Sequence, residues 1–283
     1  MKVNRKMSST ICNNKNINKN INKNINMNTN KSSKTEINQK YPYLYETHLH
    51  TSLVSACAKS TPEEMVRACK EYGYSGLFVT EHNWGGNIRI YSRLPWTDFV
   101  EEFCQSYRRA KEEGDKIGLD VFFGYEAGYQ GTEFLIYGVD EEWLLHHPEI
   151  KDATIPEQFE LIHQVGGMVI HAHPFRDEPY IPKIRLFPEY VDGVEAINAT
   201  HSNTRSRSHN DPTFDDQAVL YAREHQLPMT AGSDIHTTAL FGGGVAFTKK
   251  LESAVDYKEQ ILHGDYVLTN GEVWYDKRGS IIG

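Results

Sequence analysis

Eight side chains able to ligate a transition metal fall at or just beyond the ends of apolar runs in this 283-residue sequence: His48, His50, His82, Glu126, His173, His201, Asp234 and His236. His48 and His50 close the run Tyr43-Leu44-Tyr45-Glu46-Thr47. Residues two apart on a strand share a face, so two imidazoles would aim at one point and supply half a metal site. Taken alone, the pair reads equally well as two surface histidines. Histidine with carboxylate favours zinc, manganese or iron over calcium or magnesium. Eight donors exceed what one tetrahedral ion takes, so two or three divalent ions are expected, with Glu126 able to bridge two of them. Paired ions clamp a phosphate and generate hydroxide at neutral pH. The competing structural reading, a set of buried histidines, would leave many polar atoms to be matched by hydrogen bonds.

The elements that must carry these residues alternate strand with helix. A strand is predicted at 43–48, then a Ser/Ala/Thr-rich loop at 51–60. Thr61-Pro62-Glu63-Glu64 opens a helix: Thr61 is an N-cap, Pro62 fits the first turn, Glu64 completes a capping box, and Gly73 ends it. Gly76–His82 is a continuous apolar run of strand length, buried on both faces. A long helix follows at about 98–113, with Phe99, Phe103, Tyr107 and Ala110 on one stripe. Strands are expected at 121–126, 134–137 (a hairpin partner of its predecessor), 167–173, 193–198, 227–232, 244–248 and 266–269. Helices are expected at 155–165, 215–225 and 253–262. The class is α/β. The candidate ligands cluster at the C-terminal ends of the strands, the catalytic face of a parallel α/β barrel.

Five segments, His48-Leu49-His50, Thr80-Glu81-His82, Gly124-Tyr125-Glu126, Ala172-His173-Pro174 and Gly232-Ser233-Asp234-Ile235-His236, resemble in order and spacing the motifs of the PHP (polymerase and histidinol phosphatase) superfamily. The resemblance covers about residues 43–240. It implies a distorted (β/α)7 barrel with a trinuclear metal site at the C-terminal ends of the strands. It also implies hydrolysis of phosphoesters, as in histidinol-phosphate phosphatase and in nucleotide or oligonucleotide phosphoesterases. By motif, one ion would be held by His48, His50, Glu126 and Asp234, a second by Glu126, His173 and His201, and a third by His82, His236 and a residue of the 51–60 loop. Many members place His or Asp in that loop. Here Cys57 is the soft donor available, and a free, non-ligating cysteine is the other reading.

Other groups take supporting roles. Arg176, after His173-Pro174, and Arg205 or Arg207, after His201, are expected to reach a substrate phosphate, with Arg176 and Arg207 as the candidates carried forward. Asp234 or His236 is expected to manage the leaving-group proton. Glu81 is read as an orienter of His82. His171, two before His173, is read as sharing its face in a supporting role. Glu195 and Asn198 have the same default. Glu46 is either a further support or an ordinary strand-edge carboxylate. Trp84, Trp96, Tyr129 and Tyr180, in loops after strands, could stack on a substrate or simply cover the core.

The net charge is -8, unevenly placed: residues 1–40 hold nine Lys/Arg and one acidic residue, so the remainder carries about -16. That acidic body argues against a duplex-binding surface, leaving short oligonucleotides as the largest nucleic acid expected. The Asn-Ile-Asn-Lys repeats of residues 1–40 predict a disordered tail before a catalytic domain at 41–283. Cys12, Cys57, Cys69 and Cys104 show no close spacing, which favours a reducing, cytoplasmic setting. No apolar run approaches a membrane span, and no apolar segment follows the basic N-terminus as in a secretory signal. The expected activity is metal-dependent hydrolysis of a small phosphorylated substrate by metal-activated hydroxide. The rivals are metal-dependent amide or ester hydrolysis and a non-catalytic metal-binding module.

Overall fold

Seven strands curl around an aromatic interior in the computed structural model, which describes residues 33–283 apart from 92, 240 and 241. The strands are β1 (Tyr43–Glu46), β2 (Gly76–His82), β3 (Asp120–Tyr129), β4 (Thr132–Tyr137), β5 (Met168–Ala172), β6 (Gly193–Asn198) and β7 (Met229–Gly232). Three more, β8 (Gly243–Phe247), β9 (Tyr266–Asn270) and β10 (Trp274–Asp276), extend the sheet from β1, in the order β10-β9-β8-β1-β2-β3-β4-β5-β6-β7. β1, β2 and β3 are parallel, as are β5, β6 and β7, while β4 runs antiparallel between the two groups. Just past the ends of β1 and β7, Leu49 and Ile235 form a parallel bridge, with the His50 N–H donating to the Ile235 carbonyl at 2.9 Å. That bridge brings the two outer strands of the group together at the C-terminal end.

The expected α/β barrel-like class holds, with a departure from a regular seven-fold β/α repeat. β3 and β4 are joined by a two-residue turn at Gln130 and Gly131, both with positive φ (50° and 84°), rather than by a helix. This is the backbone that a tight hairpin matched to strand twist requires.

Helices cover the outer face. α2 (Pro62–Tyr72) has the expected Thr61–Glu64 capping box and ends at Gly73 in the left-handed conformation. Leu77 and Val79 of β2 pack outward with Met65 and Val66 of α2, while Phe78 points inward with Tyr45, Tyr137 and Tyr257. Both faces of β2 are therefore apolar, as its unbroken run required. Phe78, Tyr137 and Tyr257 meet at centroid distances of 4.8 to 5.0 Å and form part of an apolar interior beside the strands. Tyr257 comes from α9 (Ala254–His263).

Two boundaries differ from expectation. The single helix predicted over 98–113 is two, α3 (Trp96–Phe103) and α4 (Gln105–Ile117), divided at Cys104. The division lets Phe99 and Phe103 join the aromatic cluster of Trp84 and Trp96, while Ala110 of α4 packs against the outward face of β2 and β3. The folded body also begins before Tyr41. Lys34–Lys40 forms α1, closed by a Ser33–Glu36 capping box and with Ile37 buried. The rest of the expected tail, residues 1–32, lies outside the described residues. The remaining helices are α5 (Glu141–His146), α6 (Ile155–Gln164), α7 (Ala199–Ser202) and α8 (Thr213–Glu224).

Candidate metal centre

β1 ends at Glu46, and the chain runs on through Thr47 to His48 and His50 with Leu49 in the bridge to Ile235. Hydrogen bonds from Leu49 to the Thr80 side chain and back hold this extension in place. Glu46 is no strand-edge carboxylate: it is fully buried and accepts from the backbone N–H groups of His48 (3.0 Å) and Ser233 (2.8 Å). One side chain thus ties the first motif to the last. Burial pushes its carboxyl up to about 7 against the pull of those donors.

The imidazoles converge on Glu126, at the end of the parallel pairing of β2 with β3. Glu126 Oε1 is 3.2 Å from His48 Nε2 and 3.1 Å from His173 Nε2, and Oε2 is 2.6 Å from His82 Nδ1 and 3.6 Å from His50 Nε2. Asp234 Oδ1 closes the opposite side, 3.3 Å from His50 Nε2 and 3.5 Å from His48 Nε2. Burial opposes ionisation of Glu126, yet His48 and His82 outweigh it and hold the carboxyl well below its ordinary range. His173 and Asp234 both take positive φ, 27° and 52°. Left-handed backbone at two non-glycine residues is costly and clusters where function demands a side-chain direction. At His173 it breaks the strand alternation. His173 turns into the cluster, whereas His171 stays on β5 and stacks on Phe134 at 4.9 Å, so the expected shared face is not formed.

Four buried atoms of this cluster, His48 Nε2, His50 Nε2, His82 Nδ1 and Glu126 Oε2, have no hydrogen-bond partner of acceptable geometry. Leaving such atoms unmatched is expensive unless something else satisfies them. Among the described residues, four sets have donor atoms within 4.8 Å of one another: His48/His50/Glu126, His48/His173/Asp234, His50/His82/His236 and His82/Glu126/Glu133. The donor types and their convergence fit divalent transition-metal ions.

Glu133 is a ligand candidate that the sequence reading missed. It lies near the start of β4, and its carboxylate is 3.6 Å from His173 Nε2. Because β4 is antiparallel, its N-terminal end lies beside the C-terminal ends of its neighbours, so a search of strand C-termini passes over it.

The supports of the cluster are mostly buried carboxylates. Glu195 Oε1 lies 2.9 Å from His48 Nδ1, and its Oε2 accepts from the His173 N–H and from Asn198. Glu195 and Asn198 are thus in the supporting positions expected. Glu81 does not touch His82. It accepts from the backbone and hydroxyl of both Thr51 and Ser55, and the Ser55 hydroxyl meets His50 Nδ1 at 3.2 Å and accepts from the His82 N–H. Its influence passes through the loop. Gly232 permits the close approach of β7: a Cβ there would lie 2.5 Å from His48 Cβ and 2.6 Å from Glu195 Oε1.

The arginines separate cleanly. Arg176 is buried; its Nη2 donates to Asp234 Oδ2 at 2.5 Å and its Nε to His201 Nε2 at 3.1 Å. His201 Nδ1 lies 2.8 Å from Asp215 Oδ1. His201 therefore sits with Arg176, outside the four donor sets, and not in the ligand group expected with Glu126 and His173. Burial works against the Asp234 charge, but Arg176 and His48 hold its carboxyl well below the usual range. Arg207 is exposed and donates to the Ser206 carbonyl beside it. Cys57 Sγ is 3.2 Å from His82 Nε2, on the side facing His236. Of the four loop aromatics, Trp84 and Trp96 pack on each other at 5.0 Å, the Tyr129 hydroxyl donates to the Ala153 carbonyl, and Tyr180 remains 59% exposed.

A curled α/β sheet with converging histidines and carboxylates at one end defines a metal-binding barrel. The PHP domain pattern matches residues 46–241, and the chain belongs to that family. A two-domain protein from Bacteroides vulgatus containing a predicted PHP-like metal-dependent phosphoesterase is similar in structure, with a TM-score of 0.57 and 16% identity. The match covers 82% of this chain and 66% of that one. PsfC from Pseudomonas syringae is similar over 76% of this chain and 87% of its own, with a TM-score of 0.52 and 19% identity. These likenesses are of fold. No match was found among curated proteins. Among the described residues, no helix is long and apolar enough to cross a membrane.

Proposed function

We propose that this protein is a metal-dependent phosphoesterase acting on a small phosphorylated substrate in a reducing, cytoplasmic setting. The observation that carries the reading is the set of buried, unmatched donor atoms around Glu126 with a buried guanidinium beside it. One ion would be held by His48, His50, Glu126 and Asp234. A second would use Glu126 and His173, with Glu133 the nearest further carboxylate and His201 replaced in that role.

Bound divalent ions would supply Lewis-acid stabilisation of phosphoryl oxygens and lower the pKa of water. The chain's own groups do the rest. Asp234 divides its oxygens: Oδ1 faces His48 and His50, while Oδ2 orients Arg176. Held ionised, Asp234 has no proton to give a leaving group, so its part is to anchor the cation. Arg176 presents a planar cation fixed by Asp234 and His201, suited to bidentate capture of phosphate oxygens. Tyr180, exposed on the loop after Arg176, offers a face for the rest of the substrate. An arginine built into the cluster favours phosphate over an uncharged amide or ester.

The test is metal analysis of the purified protein together with a panel of phosphomonoesters, nucleoside phosphates, short oligonucleotides and amides. Bound zinc, manganese or iron with chelator-sensitive turnover of a phosphoester is expected. Metal-free protein, or turnover of amides alone, would reject the proposal.

A further inference from the structure

Beside the hairpin turn between β3 and β4 lies a small cavity that the phosphoester reading does not use. Its volume is about 10 Å³ for a water-sized guest, room for one small occupant. Thr132, His171, Arg176 and Arg185 form its polar wall, and Ile181 and Ile184 are the apolar part of its cover. Among the described residues, no carboxylate lines it.

The wall is held in place. The loop after β5 starts with the Arg176 N–H donating to the His173 carbonyl at 3.0 Å, and further along Phe187 meets Phe134 edge-on at 5.6 Å. Gly131 lets this loop come close to the hairpin: a Cβ there would lie 3.1 Å from Ile181. The His171 ring is fixed by its stack on Phe134 at 4.9 Å and by the edge contact of Phe187 at 6.2 Å.

Several donors of this wall are left over. Half-buried Arg185 gives Nε to the Thr132 hydroxyl at 2.9 Å and Nη2 to the Tyr129 carbonyl, which leaves Nη1. Because the Thr132 hydroxyl accepts from Arg185, its own proton is available to another acceptor. Arg176 commits Nε and Nη2 to His201, Thr200 and Asp234 and also keeps Nη1. His171 Nδ1 is buried without a partner. Asp234 answers the charge of Arg176, whereas Arg185 is in no ion pair among the described residues. A cation drawn partly out of water without a counter-charge is costly, and an anion beside it relieves that cost. Water would need acceptors as well as donors, and the surplus here is of donors and positive charge.

We propose that this cavity binds a small inorganic anion of chloride size, held by the Arg185 guanidinium and the Thr132 hydroxyl, with His171 and Arg176 completing the wall. The volume shuts out a phosphorylated organic molecule, so this is not the substrate's place. Thr132, His171 and Arg185 belong to none of the four metal-donor sets, and the proposal therefore stands or falls apart from the functional reading.

Bromide is the probe that locates such an ion. In crystals of the full-length protein soaked in sodium bromide, anomalous scattering should show a peak between Arg185, Thr132 and His171. In solution, chloride-35 line broadening on chelator-stripped protein gives the affinity without chloride held by metal. Arg185→Gln, which removes the charge, should weaken binding about tenfold or more, and Thr132→Val about fivefold, the scales of a charged and a neutral hydrogen bond. Thermal melts report whether each variant is folded, and Thr132→Val decides the matter if Arg185→Gln is not. A cavity that holds only water at saturating bromide overturns the proposal, as does bromide found solely on the surface or at the Glu126 centre. Affinity unchanged in the folded variants overturns it as well.

Discussion

The two halves of the cluster differ in how completely their polar atoms are matched. Around Glu126, four buried nitrogen and oxygen atoms point inward without hydrogen-bond partners. Across Asp234, Arg176, His201 and Asp215 form an unbroken chain of contacts at 2.5, 3.1 and 2.8 Å. The first half fits incoming cations; the second already contains its cation and holds it still. Metal affinity and phosphate recognition should therefore separate by mutation, although Asp234 belongs to both halves.

The sharpest break would come from Glu126→Ala, which removes the carboxylate touching four imidazoles. Bound metal should fall to near background, and turnover about a thousandfold, the scale of losing a main electrostatic stabiliser. Normal metal content in this variant would refute the unmatched half as a metal centre. Arg176→Ala should act on the other half only. It should lower kcat/KM for a phosphomonoester about 10- to 100-fold, as for a lost charged hydrogen bond, with metal content unchanged. Unchanged kinetics would remove Arg176 from phosphate binding.

A pH measurement sharpens the contrast on the unmatched side. Burial raises the Cys57 thiol, but hydrogen bonds with His236 and His82 outweigh it and bring it down to about 6. A lowered thiol pKa means that thiolate persists down to lower pH. In chelator-stripped protein the alkylation rate of Cys57 should rise through pH about 6 and then level off, where an unperturbed cysteine rises through about 8.5. A midpoint above 8 would show the two imidazoles not to act on it. The smallest effect is expected for Arg207→Ala. Exposed and bonded to its neighbour's carbonyl, Arg207 should change kcat/KM less than about twofold, within the scatter of surface substitutions.

Why sequence led to some of these residues and not others follows from strand direction. His48, His82, Glu126, His173 and Asp234 close strands of the two parallel groups, β1–β3 and β5–β7, which point the same way because both are antiparallel to β4. The hairpin pairing expected for 134–137 holds, but the strand begins at Thr132, which brings Glu133 to the N-terminal end of an antiparallel strand, where a reading of strand C-terminal ends does not look. The partners of His201 and Arg207 depend on where a loop turns after its strand, which composition does not record. Helix α1 was legible in principle: Ser33 and Glu36 have capping-box spacing, masked by the Asn/Lys-rich surroundings. The split at Cys104 has no Gly or Pro to mark it and arises from packing on two different neighbours. The Arg176–His201 contact joins side chains from the ends of β5 and β6, a meeting set by tertiary geometry.

The bridge between Leu49 and Ile235 also bears on how the molecule assembles. It joins chain segments near opposite ends of the matched domain, and closing so long a loop carries a large entropic cost before any contact repays it. The strands between can pair with sequential neighbours first, which leaves this seam among the last contacts to form. Because the seam sets His50 beside Asp234, this part of the ligand set exists only once the bridge has formed. Ions would then act as a clasp across the bridged ends of the curled sheet and slow their parting, so that chelation should speed unfolding much more than it slows folding.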